Sequence, residues 1–358
     1  MSYKHPPFKM PDFEAENFKI AKDITVAPVE KDGIAPDKFY LTSHLPTFYK
    51  INGTWVLPER SSLNCVAVIE GETIKITELR DLKVGQQVVI SPTDNPLADG
   101  IYLEDSPFDE SVWIEDLAVE TSFTDDYELL FELMKREKES GGNIVWVLGP
   151  AVVFDHDTRI ALSELANAGY VHALLAGNAM ATHDLEGGYL DTALGQNIYT
   201  QESVPMGHYN HLDLLNEVRR HGSIKASIDD GIIRNGFMKE ITKLGIPFVL
   251  AGSIRDDGPL PEVYQTSTES LTAMKKITDK ATLVICLATM LHSITTANLV
   301  SSYRKDKDGN IVPIYLYSID VTENATHKVA ATREYVAVKT IITNVQDFVV
   351  NIQKSLLK

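Results

Sequence analysis

The hydrophobic pattern changes texture part-way along the chain. Up to about residue 120, short apolar runs sit between turn-forming residues: Phe39-Tyr40-Leu41, Thr54 to Leu57, Cys65 to Ile69, Thr73 to Ile76 and Gln87 to Ile90. Alternation with period two gives a strand one dry face and one wet face, so this region is expected to be β-rich. Asn52-Gly53, between two such runs, predicts a hairpin because both residues tolerate positive φ. Glu70-Gly71-Glu72 predicts a second turn, and Pro92 to Ser111, rich in Pro, Asp and Gly, predicts a long loop or lid.

A helix is expected from about Asp125 to Glu139, with Leu129, Leu130, Leu133 and Met134 on its apolar side, Thr124 or Asp125 as N-cap and Gly141-Gly142 as its stop. From Asn143 the apolar runs become continuous: Ile144 to Leu148, Val171 to Leu175, Pro247 to Ala251, Leu283 to Ala288, Ile314 to Ile319 and Val338 to Ile342. Runs that are apolar on both faces and alternate with helical patterns fit a parallel sheet covered on both sides. Val345, Phe348, Val349, Ile352 and Leu356 recur at helical spacing and predict a closing amphipathic helix. The expected fold class is α/β: a parallel-sheet domain over residues 125–358, preceded by a smaller β-rich domain over residues 1–124.

Composition narrows the function classes. The 358 residues suit two domains, and 44% apolar with 23% charged residues is ordinary globular usage. Fifty Asp and Glu against 33 Lys and Arg give a net charge of -17, which repels phosphate backbones and argues against a nucleic-acid partner. Two cysteines, Cys65 and Cys286, make no disulfide framework, and Cys286 in its apolar run is expected to be a buried core thiol. No Cys/His cluster has zinc spacing, so no metal is expected. The chain opens without an apolar h-region, and no apolar run nears the ~20 residues of a membrane span, so a cytoplasmic protein with no membrane partner is expected.

Ligands of open α/β sheets bind beyond the carboxyl ends of the strands. That rule selects Gly149-Pro150, Gly177-Asn178-Ala179 with His183 and Asp184 following, the run from Ala251 through Ser253 to Pro259, Ala288-Thr289-Met290, and Asp320. Small residues let backbone N–H groups approach a phosphate, a helix start adds its dipole, and an acidic strand end such as Asp320 suits ribose hydroxyls. The set points to a dinucleotide, although the Gly-x-Gly-x-x-Gly fingerprint and the P-loop are absent. Gly149-Pro150 serves equally as a plain turn, and Asp320 as a loop cap. His172 reads as a core histidine. His208 and His211 have the spacing of a metal pair but no third ligand nearby. Arg255-Asp256-Asp257, ahead of Gly258-Pro259, brings paired carboxylates suited to acid–base work.

Six segments stand in a telling order: Gly149-Pro150-Ala151, Gly169 to Ala179, Gly207-His208-Tyr209-Asn210-His211-Leu212, Val218 to Ile224, Ala251 to Pro261, and Leu287 to Ile294. On them the chain resembles the archaeal-type ornithine cyclodeaminase family. Its shared region is also known as the conserved domain of lysine-ketoglutarate reductase/saccharopine dehydrogenase, and is similar to the C-terminal half of cyanobacterial arginine dihydrolase/ornithine cyclodeaminase. The resemblance runs from about Phe39 to the end. It implies a deoxyhypusine synthase-like NAD-binding fold, bound NAD, and a homo-oligomer acting on a small amino-acid substrate. It implies conversion of L-ornithine to L-proline and ammonia: hydride leaves Cα for NAD, the side-chain amine attacks the resulting imine, ammonia departs, and the hydride returns.

By the same resemblance, Asp256 or Asp257 is the acid/base and Arg255 contacts substrate. Lys83 and Arg80, in Leu79-Arg80-Asp81-Leu82-Lys83, either hold the α-carboxylate across the cleft or decorate a turn. Gly149, Pro150, Gly177, Asn178, Ala179, His183, Asp184, Ser253, Thr289, Met290 and Asp320 are the expected NAD-binding positions. Ser43-His44-Leu45-Pro46-Thr47 departs from the family's expected Thr-Asn-His-Pro-Thr, which makes His44 a candidate for substrate specificity. A net dehydrogenase of an amino or opine-like acid, and a non-catalytic NAD- or amino-acid-sensing domain, stay open as alternatives.

Overall fold

The structure, a computed structural model, describes residues 4–109, 122–254, 258–331 and 337–357, with 122–126 as backbone only. Among the described residues, the first region holds a short helix, Glu16–Ile20, and seven strands: β1 (Thr25–Pro28), β2 (Thr47–Ile51), β3 (Thr54–Val56), β4 (Cys65–Glu70), β5 (Thr73–Glu78), β6 (Gln87–Ile90) and β7 (Ile101–Leu103). They form two antiparallel sheets, ordered β1-β6-β4-β5 and β3-β2-β7, around a core that includes Tyr49, Ala67, Val89 and Ile101. The β2–β3 hairpin closes through Asn52 (φ 49°) and Gly53 (φ 78°), as the sequence predicts. Phe39 and Leu41 make only isolated bridges, to Ile90 and Val66.

The expected loop after Pro92 is interrupted by β7, which pairs with β2. Three residues are too few to display an alternation, and their placement depends on Gly100, at φ +80°. A Cβ there would stand 2.4 Å from the Lys22 carbonyl oxygen, so only glycine lets the two segments cross. Residues 110 and 111 of that expected loop lie outside the described residues.

A helix over Ser122–Ser140 follows and buries Leu130, Leu133 and Met134. It starts before the expected caps, so Thr124 and Asp125 lie inside it. The second region then adds β8 (Ile144–Leu148), β9 (Ala173–Gly177), the small hairpin β10–β11 (Thr192–Ala193 and Gln196–Asn197), β12 (Phe248–Ala251), β13 (Leu283–Leu287), the hairpin β14–β15 (Tyr303–Lys305 and Ile311–Pro313), β16 (Tyr315–Asp320) and β17 (Val338–Ile342). Six of them make one parallel sheet in the order β12-β9-β8-β13-β16-β17. Numbered by chain order this is 3-2-1-4-5-6, a doubly wound arrangement whose direction reverses between β8 and β13.

Both faces of the sheet are covered, which is why its strands read as continuous apolar runs. Trp146, Leu174, Ile285 and Tyr317 face one core, closed by the helices His156–Asn167, Phe237–Leu244 and Val345–Leu356. Val147, Leu175, Val284 and Leu316 face the other, closed by Ser267–Thr278, Met290–Leu299 and Glu323–Ala331. Cys286 is buried in that second core, burial pushes the Cys65 thiol up to about 12, and no disulfide joins the two. His172 accepts the Ile144 N–H on Nδ1 at 3.1 Å, and its burial lowers its pKa, as suits a core histidine. Among the described residues, no helix is long and apolar enough to cross a membrane.

The two regions meet along a hydrogen-bonded seam. Arg60 donates to the Ala281 carbonyl at 2.9 Å, Ser62 to Leu299 at 2.9 Å, Tyr303 to Pro58 at 3.0 Å, and Ser302 to the His44 carbonyl at 2.6 Å.

Candidate active site

A cavity of about 990 Å³ opens at the carboxyl ends of β8, β9, β12 and β13. The topology creates it: from β8 the chain moves outward through β9 and β12, then returns to β13 on the other side of β8, so the loops leaving β8 and β13 diverge. Gly149 sits at the reversal. Its N–H donates to the Leu287 carbonyl at 2.8 Å, and a Cβ would stand 1.9 Å from the Ala288 carbonyl oxygen, so no side chain fits. Ala288 itself has φ +51°, a left-handed conformation that costs a non-glycine residue energy and is held by its surroundings. Across the crevice, a Cβ on Gly177 would meet His292 Cε1 at 3.1 Å. His292 Nδ1 lies 3.1 Å from Thr289 Oγ1, and burial holds its pKa below the ordinary value.

Nine of the sequence-predicted NAD positions line this cavity: Gly149, Pro150, Gly177, Asn178, Ala179, His183, Ser253, Thr289 and Met290. Asn178, which opens the helix Asn178–Leu190, also braces a neighbouring loop: its Oδ1 accepts the Leu260 N–H at 3.0 Å and its Nδ2 donates to Gly258 O at 3.4 Å. Arg219 adds a second brace by donating twice to the Pro259 carbonyl, at 2.9 and 3.2 Å. Arg255, Asp256 and Asp257 lie just before that loop and outside the described residues.

Among the described residues, the other predicted positions do not line the cavity. Asp184 is buried in an ion pair with Arg159 (Nε to Oδ1, 2.9 Å) and accepts the backbone N–H groups of Phe237 and Met238 at 3.2 and 2.7 Å. Asp320 ends β16, beyond β13 from the cavity, and accepts the Thr322 N–H at 3.0 Å and its hydroxyl at 3.1 Å, the loop-cap reading. Lys83 pairs with Asp32 at 3.0 Å on an exposed turn. His44 is buried at the seam. Arg80 pairs with Glu78 at 2.6 Å and donates to the Thr268 carbonyl at 3.4 Å, which ties it to the helix whose Ser267 and Ser270 line the cavity.

Three further residues stand outside the predicted site set. His292 and His211 line the cavity, and Glu186 stands behind it: its Oε2 is 2.8 Å from His183 Nδ1 and its Oε1 accepts the Thr192 hydroxyl at 2.7 Å. The i,i+3 spacing of His183 and Glu186 was the available signal for their contact. Among the described residues, no three His, Cys, Asp or Glu side chains gather as a metal site.

This lining fits a dinucleotide. Gly149 and Gly177 leave backbone bare at the floor, and the Asn178–Leu190 and Met290–Leu299 helices both begin there, offering N–H groups and dipole to a pyrophosphate.

Comparison with known proteins agrees with this geometry. Residues 129–351 match the family described as arginine dihydrolase ArgZ-like, C-terminal, Rossmann fold. Ornithine cyclodeaminase of Methanocaldococcus jannaschii is 36% identical over 294 residues, spanning 79% of this chain and 69% of the relative. The bifunctional arginine dihydrolase/ornithine cyclodeaminase AgrE of Nostoc sp. is 36% identical over 78% of this chain and 40% of its own length. Among solved structures, an LOR/SDH protein of Methanococcus maripaludis superposes with a TM-score of 0.80 at 30% identity, covering 94% of this chain and 98% of that one. The ternary complex of AgrE with ornithine and NAD+ superposes with a TM-score of 0.59 at 31% identity, over 94% of this chain and 47% of that one.

Proposed function

The chain belongs to the ArgZ-like C-terminal, Rossmann-fold family, together with the archaeal ornithine cyclodeaminases, and on that premise we propose that it converts L-ornithine to L-proline and ammonia. The protein is an enzyme, and NAD is its cofactor. When bound, NAD takes a hydride from the substrate and gives it back, so that it is recycled. The observation that carries this reading is the cavity at the β8/β13 reversal, floored by glycine backbone and two helix starts, in a chain whose relative AgrE was solved with ornithine and NAD+.

Within that reading the chain's own residues divide the work. Backbone at Gly149 and Gly177 and the starts of the Asn178 and Met290 helices hold the pyrophosphate. Phe154, Leu194, Leu215 and Met274 give the cavity apolar walls that keep water from the reacting carbon. Asp257 or Asp256 assists ammonia departure, and Arg255 holds the α-carboxylate, for which a bidentate guanidinium is suited. Arg80 is the candidate contribution from the first region, because it already reaches the Ser267–Thr278 helix. Lys83 and His44 receive no role, being committed to Asp32 and to the seam. Residues 1–124 act as the substrate-side and oligomer-forming part of a cytoplasmic homo-oligomer that supplies proline, and residues 125–358 as the NAD-binding part.

Deuterium tests the recycling. With L-[2-2H]ornithine and unlabelled NAD, the deuterium is expected at C2 of the proline formed. Deuterium accumulating in reduced cofactor would identify a net dehydrogenase instead.

A further inference from the structure

We propose that His183 is the proton acceptor for the substrate's α-ammonium group and that buried Glu186 is its positioning residue; the substrate named here rests on the ornithine reading above. The hydrogen-bond order selects the histidine's tautomer. Asn210 Nδ2 donates to Thr192 Oγ1 at 2.8 Å, so the Thr192 hydroxyl hydrogen goes to Glu186 Oε1 at 2.7 Å. Glu186 is fully buried, and its other oxygen lies 2.8 Å from His183 Nδ1. That oxygen is also an acceptor, so Nδ1 carries the proton and the lone pair of the neutral ring falls on Nε2.

Nε2 is the ring edge left for the cavity that His183 lines. Phe154 meets the ring edge-on, with centroids 5.6 Å apart, and limits its rotation. Among the described residues, the titratable neighbours facing the ring are Glu186 from its own helix and His211 from the helix Asn210–His221, with ring centroids 6.2 Å apart. His292, a half-buried histidine of the same cavity, has a hydroxyl rather than a carboxylate at Nδ1.

The step balances as a proton transfer. An N–H bond of the α-ammonium group breaks, its electron pair stays on the substrate nitrogen, and the proton bonds to Nε2. The resulting imidazolium is ion-paired with Glu186, as a carboxylate behind a base requires.

The test reads both the ring and the reaction. In the protein without cofactor, 15N NMR is expected to show His183 as the Nδ1–H tautomer. In Glu186→Gln the amide N–H of the new residue points at Nδ1, so the tautomer is expected to invert to Nε2–H. For that variant kcat is expected to fall about 100-fold or more, with KM for ornithine and Kd for NAD within about twofold. A wild-type Nε2–H tautomer, or an unchanged kcat in Glu186→Gln, overturns the proposal. If Glu186→Gln does not fold, His183→Gln takes its place, with the same kcat loss expected and near-normal turnover overturning. If the wild-type protein binds NAD but leaves ornithine untouched, the ornithine reading and the substrate named here both fail, while the tautomer still decides whether Glu186 positions His183.

Discussion

His183 and Asp184 are neighbours in sequence and opposites in role. A helix turns about 100° per residue, so consecutive side chains on Asn178–Leu190 leave in different directions. Asp184 turns inward to Arg159, whose guanidinium also reaches the Asp184 carbonyl at 2.7 Å and both oxygens of Asn235, at 3.0 and 3.2 Å. With the N–H groups of Phe237 and Met238, this knot joins three helices and leaves neither carboxylate oxygen uncommitted. His183 turns to the cavity, and its carboxylate partner occupies only one ring nitrogen. Both pairs are buried, so burial and ion pairing alone do not separate structure from chemistry. The separating property is whether a hydrogen-bonding atom is left over for a ligand.

Four substitutions would break or sharpen this contrast. Asp184→Ala leaves Arg159 buried and unpaired, and should cost about 3–5 kcal/mol in urea unfolding. A loss below about 1 kcal/mol would remove the structural reading of that face. Gly187→Ala places a Cβ 2.8 Å from Arg159 Cζ in the same knot. Its guanidinium is tied by four hydrogen bonds and has little freedom to yield, so a loss of about 1–3 kcal/mol is expected, read the same way.

On the cavity side, His183→Gln should change stability by less than about 1 kcal/mol while turnover collapses, which unfolding and kinetic assays on one preparation would separate. The smallest effect concerns His292, which burial keeps neutral below its ordinary value of 6.5. The unfolded state takes up that proton first, so the stability tied to neutral His292 is complete above pH 6.5 and is lost as pH falls from there toward its lowered native value. His5, pushed down to about 3 by burial, and His172 act with the same sign. The informative quantity is therefore the difference between His292→Asn and wild type: the variant should lose less stability between pH 7 and pH 5. An equal loss would mean that His292 charges freely in the native state.

The sheet was legible because its information is local. Ile144–Leu148 and Val338–Ile342 fall where continuous apolar runs predict them, and the strand-end rule then finds Gly149, Gly177 and Thr289 without any knowledge of strand order. What failed to show in the sequence is non-local. Asp320 is a strand end like the others, but only the order β8-β13-β16 places it away from the cavity. Asp184 and His183 differ by helix phase relative to a core that the sequence does not reveal. Arg80, Lys83 and His44 depend on how the first region docks, and β7 exists through a close backbone crossing at Gly100.

The most direct test of the account is to incubate the purified protein with NAD and L-ornithine and follow products by NMR. Proline and ammonia in equal amounts, with no reduced cofactor accumulating, is the result predicted. NAD bound at the β8/β13 cavity with ornithine left unchanged would contradict it.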